Sequence, residues 1–427
     1  MRDLDVVNLH WCNNFLSPRG IDQIIQRGLP VVWSLHDMWP FTGGCHYTAG
    51  CEKFAQDCAS CPQLRRDIYG MPAAILRDKA ASFQDGRITI VALSEWMKRE
   101  AERSSLFANS RVELIPNGLD TSIYAADVRA GAKAALGIDE NSIALMFGAA
   151  HGRSKRKGFD LLAQSIERLA KTRAGKEHDL VVISMGHASA DLQKLPVRVV
   201  DVGYKESDAD IAQVYGAADI FVLPSREDNL PNTVMEAMAC GCVPVAFDVG
   251  GVGDLFEAGK HGYLIQPFDT NAMSDALNTL LTDAQKRQAM GVACSEWIAS
   301  RFTLSIQAQR YESLFSELAQ GDDEPFRAGL RERMSVRLDP YPSEAFAGTD
   351  GALYRRMLFD HYAKKVGGVE EIPTKTLSFL VLRRLVRKIS ELKVVGPILD
   401  GGRKLITRSS AYQKLRSRVA DDIGAHD

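Results

Sequence analysis

From Val6 to about residue 320 the chain alternates short, nearly continuous apolar runs with amphipathic stretches, and this alternation restricts its fold more than any other feature. The apolar runs cover residues 6–11, 31–35, 88–93, 112–115, 143–148, 180–185, 197–202, 220–223 and 243–247. Helical patterns lie between several of them, at 159–171, 209–215, 233–239 and 271–281. A run such as Ile220-Phe221-Val222-Leu223 has no polar face, as expected of a strand buried on both sides. Strand–helix alternation predicts an α/β class with parallel sheets covered by helices.

The rhythm breaks once, at Ile115-Pro116-Asn117-Gly118-Leu119-Asp120, where Pro-Asn-Gly is strong turn chemistry. The break predicts two α/β domains, over 1–125 and 126–320, facing a cleft. Ligands in such folds bind beyond the carboxyl ends of the strands. After Asp322-Asp323-Glu324-Pro325 the pattern becomes helical and basic, which predicts an extension over 321–427. The net charge of -2 argues against nucleic acid as the partner of the whole chain. No run reaches the ~18 apolar residues of a spanning helix, and no apolar export signal opens the sequence. A cytoplasmic protein is expected, peripheral at the cytoplasmic face of a membrane if its tail docks there.

Two segments carry the chemistry. The first follows the apolar run 220–223 and reads Pro224-Ser225-Arg226-Glu227-Asp228-Asn229-Leu230-Pro231-Asn232-Thr233-Val234-Met235-Glu236. Pro231 suits a first helical turn, and Asn232 and Thr233 are good caps. A helix N-terminus there offers N–H groups to an anion. Asp228 and Glu236 can each accept a pair of vicinal hydroxyls, as sugars present them; alone, such a pair would equally suit a solvated helix start. The second segment, His151-Gly152-Arg153-Ser154-Lys155-Arg156-Lys157-Gly158-Phe159, places four cations ahead of a helix and makes a plausible pyrophosphate clamp.

These segments resemble the family 4 glycosyltransferases, whose second domain carries a Glu-x7-Glu motif with Pro-Asn between the acids. The resemblance spans roughly residues 5–320. It implies the GT-B fold, two Rossmann-like domains facing a cleft, and retaining transfer from a nucleotide-diphosphate sugar to a saccharide or lipid-linked saccharide. Surface polysaccharide or glycolipid synthesis is the expected setting. Glu236 matches the acid that holds the ribose hydroxyls. Asp228 takes the position that contacts the donor sugar, one methylene shorter than the usual Glu, with Glu227 adjacent as a substitute. Lys157 matches the clamp Lys, but the clamp Arg position holds Ala149; Arg153 is the candidate replacement, with Lys155 and Arg156 weaker. Tyr204, after Gly203, resembles the site of the base. His36, ending the run 31–35, matches a His near the reacting carbon, with Asp37 orienting it or capping the turn. A diphosphate oxygen serves as base, so no protein nucleophile, cofactor or catalytic metal is expected.

Cys45, Cys51, Cys58 and Cys61 lie within 17 residues and end in Cys-x-x-Cys. Such a set can hold a structural zinc or remain ordinary thiols. Family members open with a strand, a Gly-rich loop and further strand–helix units before the segment matching Asp5-Val6-Val7. Against that pattern the first domain begins part-way through, and impaired turnover is expected beside an upstream-extended version. Two other readings stand: a catalytically impaired partner subunit, or a nucleotide-sugar epimerase on the same scaffold.

Residues 375–418 carry twelve Lys or Arg against only Glu391 and Asp400, a net +10, with a largely apolar stretch at 377–386. That composition suits an anionic membrane surface. The expected outcome is sedimentation with vesicles containing acidic lipid and not with neutral ones; equal recovery from both would remove the membrane reading.

Overall fold

A computed structural model describes residues 5–13, 16–26, 28–67, 69–83, 88–151, 154–187 and 194–320. The expected extension over 321–427, its basic segment included, lies outside the described residues. The described residues fall within one compact unit.

The first sheet holds β1 (Val7–Leu9), β2 (Val31–Leu35), β3 (Ile88–Ala92) and β4 (Val112–Leu114), in spatial order β1-β2-β3-β4 and all parallel. The connections carry α1 (Pro18–Ile25), α2 (Met71–Phe83) and α3 (Glu95–Arg103). Strands that step in one direction with right-handed crossovers place their helices on one face. Side-chain alternation agrees. Val31, Trp33, Leu35, Ile88, Ile90 and Ala92 enter the core beneath those helices, while Val32 and Val91 face the other way.

The second sheet has the spatial order β10-β9-β8-β5-β6-β7, again all parallel. Its strands are β5 (Ile143–His151), β6 (Leu180–His187), β7 (Arg198–Asp201), β8 (Ile220–Leu223), β9 (Val243–Phe247) and β10 (Tyr263–Ile265). Around them run α4 (Ala132–Ala135), α5 (Phe159–Leu169), α6 (Arg173–Glu177), α7 (Asp208–Gly216), α8 (Asn232–Ala239), α9 (Thr270–Thr282) and α10 (Ala284–Arg301). The order reverses between β5 and β8. Their carboxyl ends therefore open onto the crevice where doubly wound sheets bind ligands.

The chain returns to the first sheet through α11 (Leu304–Gln320). Leu314, with Tyr311, Phe315 and Leu318, covers the face carrying Val32, Val91 and Ile115. Arg111, beside β4, reaches both Glu113 and Glu317 on α11. The outgoing and returning segments are bonded to each other: Leu119 N–H donates to Phe302 O at 2.8 Å and Leu304 N–H to Leu119 O at 3.1 Å.

Differences from the sequence expectation concentrate at ends. β5 continues to His151, three residues past the expected end, through a register shift between Ala149 and His151. β10 was not expected; it is three residues long and pairs only at the sheet edge.

Gly118 sits where the two connecting segments touch. A Cβ there would lie 2.6 Å from the Thr303 carbonyl oxygen and 2.8 Å from Leu304 Cα, backbone atoms that cannot rotate away. Gly118→Ala is expected to cost about 1–3 kcal/mol through overpacking. Calorimetry should show a lowered Tm; an unchanged Tm would mean the junction yields freely.

Candidate functional site

The two sequence segments meet at the reversal point. The cationic loop leaves β5 and winds through a short turn at Lys155–Lys157 before α5. The acidic loop leaves β8 and leads to α8. Gly158 joins them: its φ is +70°, and a Cβ would stand 1.8 Å from the Pro224 carbonyl oxygen. Any side chain would push the loops apart, and the left-handed backbone disfavours one in any case.

Asp228 is the centre of the arrangement. Its Oδ2 accepts from Lys157 Nζ at 2.8 Å and from Ser225 Oγ at 3.1 Å, with Arg156 Nη1 at 3.3 Å. The carboxylate is buried, and a buried charge requires such partners. Arg156 also donates to Glu227 O at 2.8 Å. Arg226 crosses back to Asp160 on α5 with two bonds, at 2.9 and 2.7 Å. Lys157 and Arg156 are thus held side by side at the crevice. Arg153 lies outside the described residues.

On α8 the cap differs from expectation. Pro231 occupies the N-cap position, and no side chain caps the helix. Asn232 instead accepts from Asn117 Nδ2 at 2.9 Å, since as the first helical residue it points outward to the interdomain junction. Thr233, half-buried beside it, makes no cap either. Glu236 is half-buried and accepts from the Tyr215 hydroxyl at 2.9 Å. Burial pushes its carboxyl above the ordinary range, opposed by the Tyr215 bond. Tyr204 follows β7 and is exposed.

His36 ends the segment after β2, as expected. Burial, and then the neighbouring His10, hold it below the ordinary histidine value, with Asp37 pulling the other way. Asp37 does not orient His36. Its Oδ1 accepts from Trp39 N–H at 2.9 Å, and its Oδ2 meets His46 Nδ1 at 2.7 Å. Asn13 Nδ2 approaches His46 Nε2 at 3.2 Å, so Nε2 accepts and Nδ1–H is the donor to Asp37. Beneath this loop Lys79 is fully buried; its Nζ donates to Trp39 O and, at 2.8 Å, to Thr42 O. Burial pushes that ammonium down to about 7. Among the described residues no three His, Cys, Asp or Glu side chains converge to hold a metal ion. Cys45, Cys51, Cys58 and Cys61 are free thiols, and Cys58 Sγ accepts from Gly43 N–H at 3.3 Å.

The two sheets are closed onto each other here. Asn229 Nδ2 donates to Leu35 O at 3.0 Å and His36 O at 3.2 Å, and Ser94 Oγ donates to Asn229 Oδ1 at 2.7 Å. Arg156 stacks on Tyr47 at 4.2 Å. Glu227 points away from Asp228. It turns across the cleft and accepts from Thr48 N–H at 3.2 Å and Ala49 N–H at 2.8 Å. Tyr47, His46, Ser94, Asn229 and Tyr215 carry no signal of these roles in the sequence beyond proximity to the motifs.

The family described as "Glycosyl transferases group 1" matches residues 142–283, which span β5 to α9. The chain is 27% identical over 238 residues to an alpha-D-kanosaminyltransferase of Streptomyces kanamyceticus, covering 54% of this chain and 60% of the relative. It is 28% identical over 302 residues to a D-inositol 3-phosphate glycosyltransferase of Catenulispora acidiphila, covering 67% of this chain and 66% of the relative. The chain thus spans just under two thirds of the length of these relatives. Among solved structures, a sucrose-phosphate synthase of Thermosynechococcus elongatus superposes with a TM-score of 0.57 at 18% identity, over 74% of this chain and 73% of that one. Anabaena HepE, solved with UDP, gives 0.53 at 19%, over 73% and 79%. Both support the same fold, GT-B.

Removing the Glu227 carboxylate should free the Thr48 and Ala49 amides. Charge-assisted bonds of this kind contribute about 1.5–3 kcal/mol. In Glu227→Ala, native-state hydrogen exchange at these two amides should quicken by about 10–100-fold, with the sheet amides unchanged. Unaltered protection would show that the contact does not hold the loop.

Proposed function

We propose that this chain, whose residues 142–283 match the family described as "Glycosyl transferases group 1", transfers a sugar from a nucleotide-diphosphate sugar to a saccharide or lipid-linked saccharide with retention of configuration. The observation that carries the reading is the pairing of Lys157 and Arg156 with Asp228 at the reversal point of the second sheet, with Glu236 on the helix that follows the Asp228 loop. HepE, of the same fold, was solved with UDP-glucose, which supports a nucleotide-sugar donor.

In this reading Glu236 accepts the ribose hydroxyls and Tyr204 lies beside the base. Lys157 faces the diphosphate, with Arg153 as the candidate second cation and Arg156, held beside Lys157 on Asp228, as a weaker one. α8 has no side-chain cap, which leaves first-turn N–H groups available to phosphate oxygens. Positive charge held in place in advance stabilises the leaving diphosphate as its charge builds. Asp228 keeps both cations oriented through Oδ2, and the contact with the donor sugar falls to its other oxygen. His36 approaches the sugar from the first sheet. A diphosphate oxygen takes the acceptor proton, so the reading requires no protein base. The setting proposed is surface polysaccharide or glycolipid synthesis in the cytoplasm, at the membrane face. Among the described residues no helix is long and apolar enough to cross a membrane.

Thermal shifts across UDP-, GDP- and ADP-sugars should identify one stabilising donor, and Glu236→Ala should abolish the shift. Because the Glu236 carboxyl lies above the ordinary range, donor binding should weaken on acidification at a higher pH than an ordinary carboxylate would give. Lys157→Ala should lower kcat by about 10²–10³-fold, as for loss of a preorganised charge partner. A donor shift that survives Glu236→Ala would overturn the ribose assignment.

A further inference from the structure

A continuous hydrogen-bond chain runs from the return helix to His36. The Tyr311 hydroxyl lies 2.7 Å from Ser34 Oγ, Ser34 Oγ donates to Asn8 Oδ1 at 3.2 Å, Asn8 Nδ2 lies 3.0 Å from His10 Nε2, and His10 Nδ1 lies 2.9 Å from His36 Nε2. Strand alternation brings these groups together. Asn8 and Ser34 project from the face of the first sheet that α11 covers, opposite Leu9 and Trp33.

The polarity of the chain follows from what each group can do. Ser34 has one proton and donates it to Asn8, so it accepts from the Tyr311 hydroxyl. An amide nitrogen only donates, so His10 Nε2 must accept. The remaining proton of a neutral His10 is then on Nδ1, where it points at His36 Nε2. That nitrogen accepts in turn, which leaves the His36 proton on Nδ1. Burial holds His10 and His36 below the ordinary histidine value, consistent with neutral rings near pH 7.

We propose that His10 is a positioning residue that fixes the tautomer of His36, so that His36 offers Nδ1–H as a hydrogen-bond donor to an oxygen of the transferred sugar. The proposal rests on the transferase reading for the identity of that oxygen. The His36 backbone is pinned separately, by Asn229 from the second sheet. With its only lone pair engaged by His10, His36 cannot serve as a general base. Its contribution is to orient and polarise the sugar.

The test uses the whole chain labelled with 15N-histidine. Near neutral pH, a long-range proton–nitrogen spectrum should show His36 Nδ1 in the protonated range and Nε2 in the unprotonated range, the signals being assigned by their loss in His36→Gln. The opposite tautomer would overturn the proposal, and it would do so even if no donor were ever turned over. Absence of turnover with every donor would count against the transferase reading alone. With the identified donor, His10→Phe should lower kcat about tenfold, the scale of one misdirected hydrogen bond, with little change in donor KM. His10→Gln, whose amide can accept from Asn8 and donate to His36, should restore most of the rate. Wild-type kcat in His10→Phe, or equal losses in both variants, would refute the role.

Discussion

The bond between Asp228 and Lys157 joins the carboxyl ends of the two central strands of the second sheet, and the rest of the site is arranged around it. Neither partner would be stable there alone. A buried carboxylate without cations is costly, and two adjacent cations without an anion repel. Together with Arg156 they form a local cluster whose geometry is set before any ligand arrives. Such prior ordering is what electrostatic catalysis requires, because the charges need not reorganise as a leaving group develops charge.

The first sheet is fitted to this cluster through side chains that look structural. Tyr47 lies against Arg156, Asn229 holds the Leu35 and His36 carbonyls at the end of β2, and Glu227 gathers the amides of the Cys-rich loop. Lys79, buried under the same loop, holds the Trp39 and Thr42 carbonyls from behind. The loop is therefore tied on its inner side by an ammonium and on its cleft side by a carboxylate.

Much of this was legible from the residues. Four-residue apolar strands such as 220–223 announce a parallel sheet because both faces are covered. Lys157-Gly158-Phe159 and the Asp228–Glu236 spacing are local, so chain order reports them directly. What could not be read is the set of pairings made between distant segments. Nothing local says that Glu227, beside Asp228, faces the other half of the molecule while Asp228 turns inward. Nor could Asn232 be distinguished as a junction contact instead of a cap, since its partner Asn117 lies 115 residues away. The His10–His36 contact joins residues 26 apart, brought together only by the β1–β2 register.

The chain passes between the two halves twice, and the two passages are laced together by the Leu119 bonds to Phe302 and Leu304. Two tethers sharing one point act as an axle. A rotation of one half about it would leave those backbone bonds intact, whereas a slide would break them. Tyr311 and α11 would then travel with the first sheet, keeping the His36 ring aligned, while the Asn229 and Glu227 contacts parted.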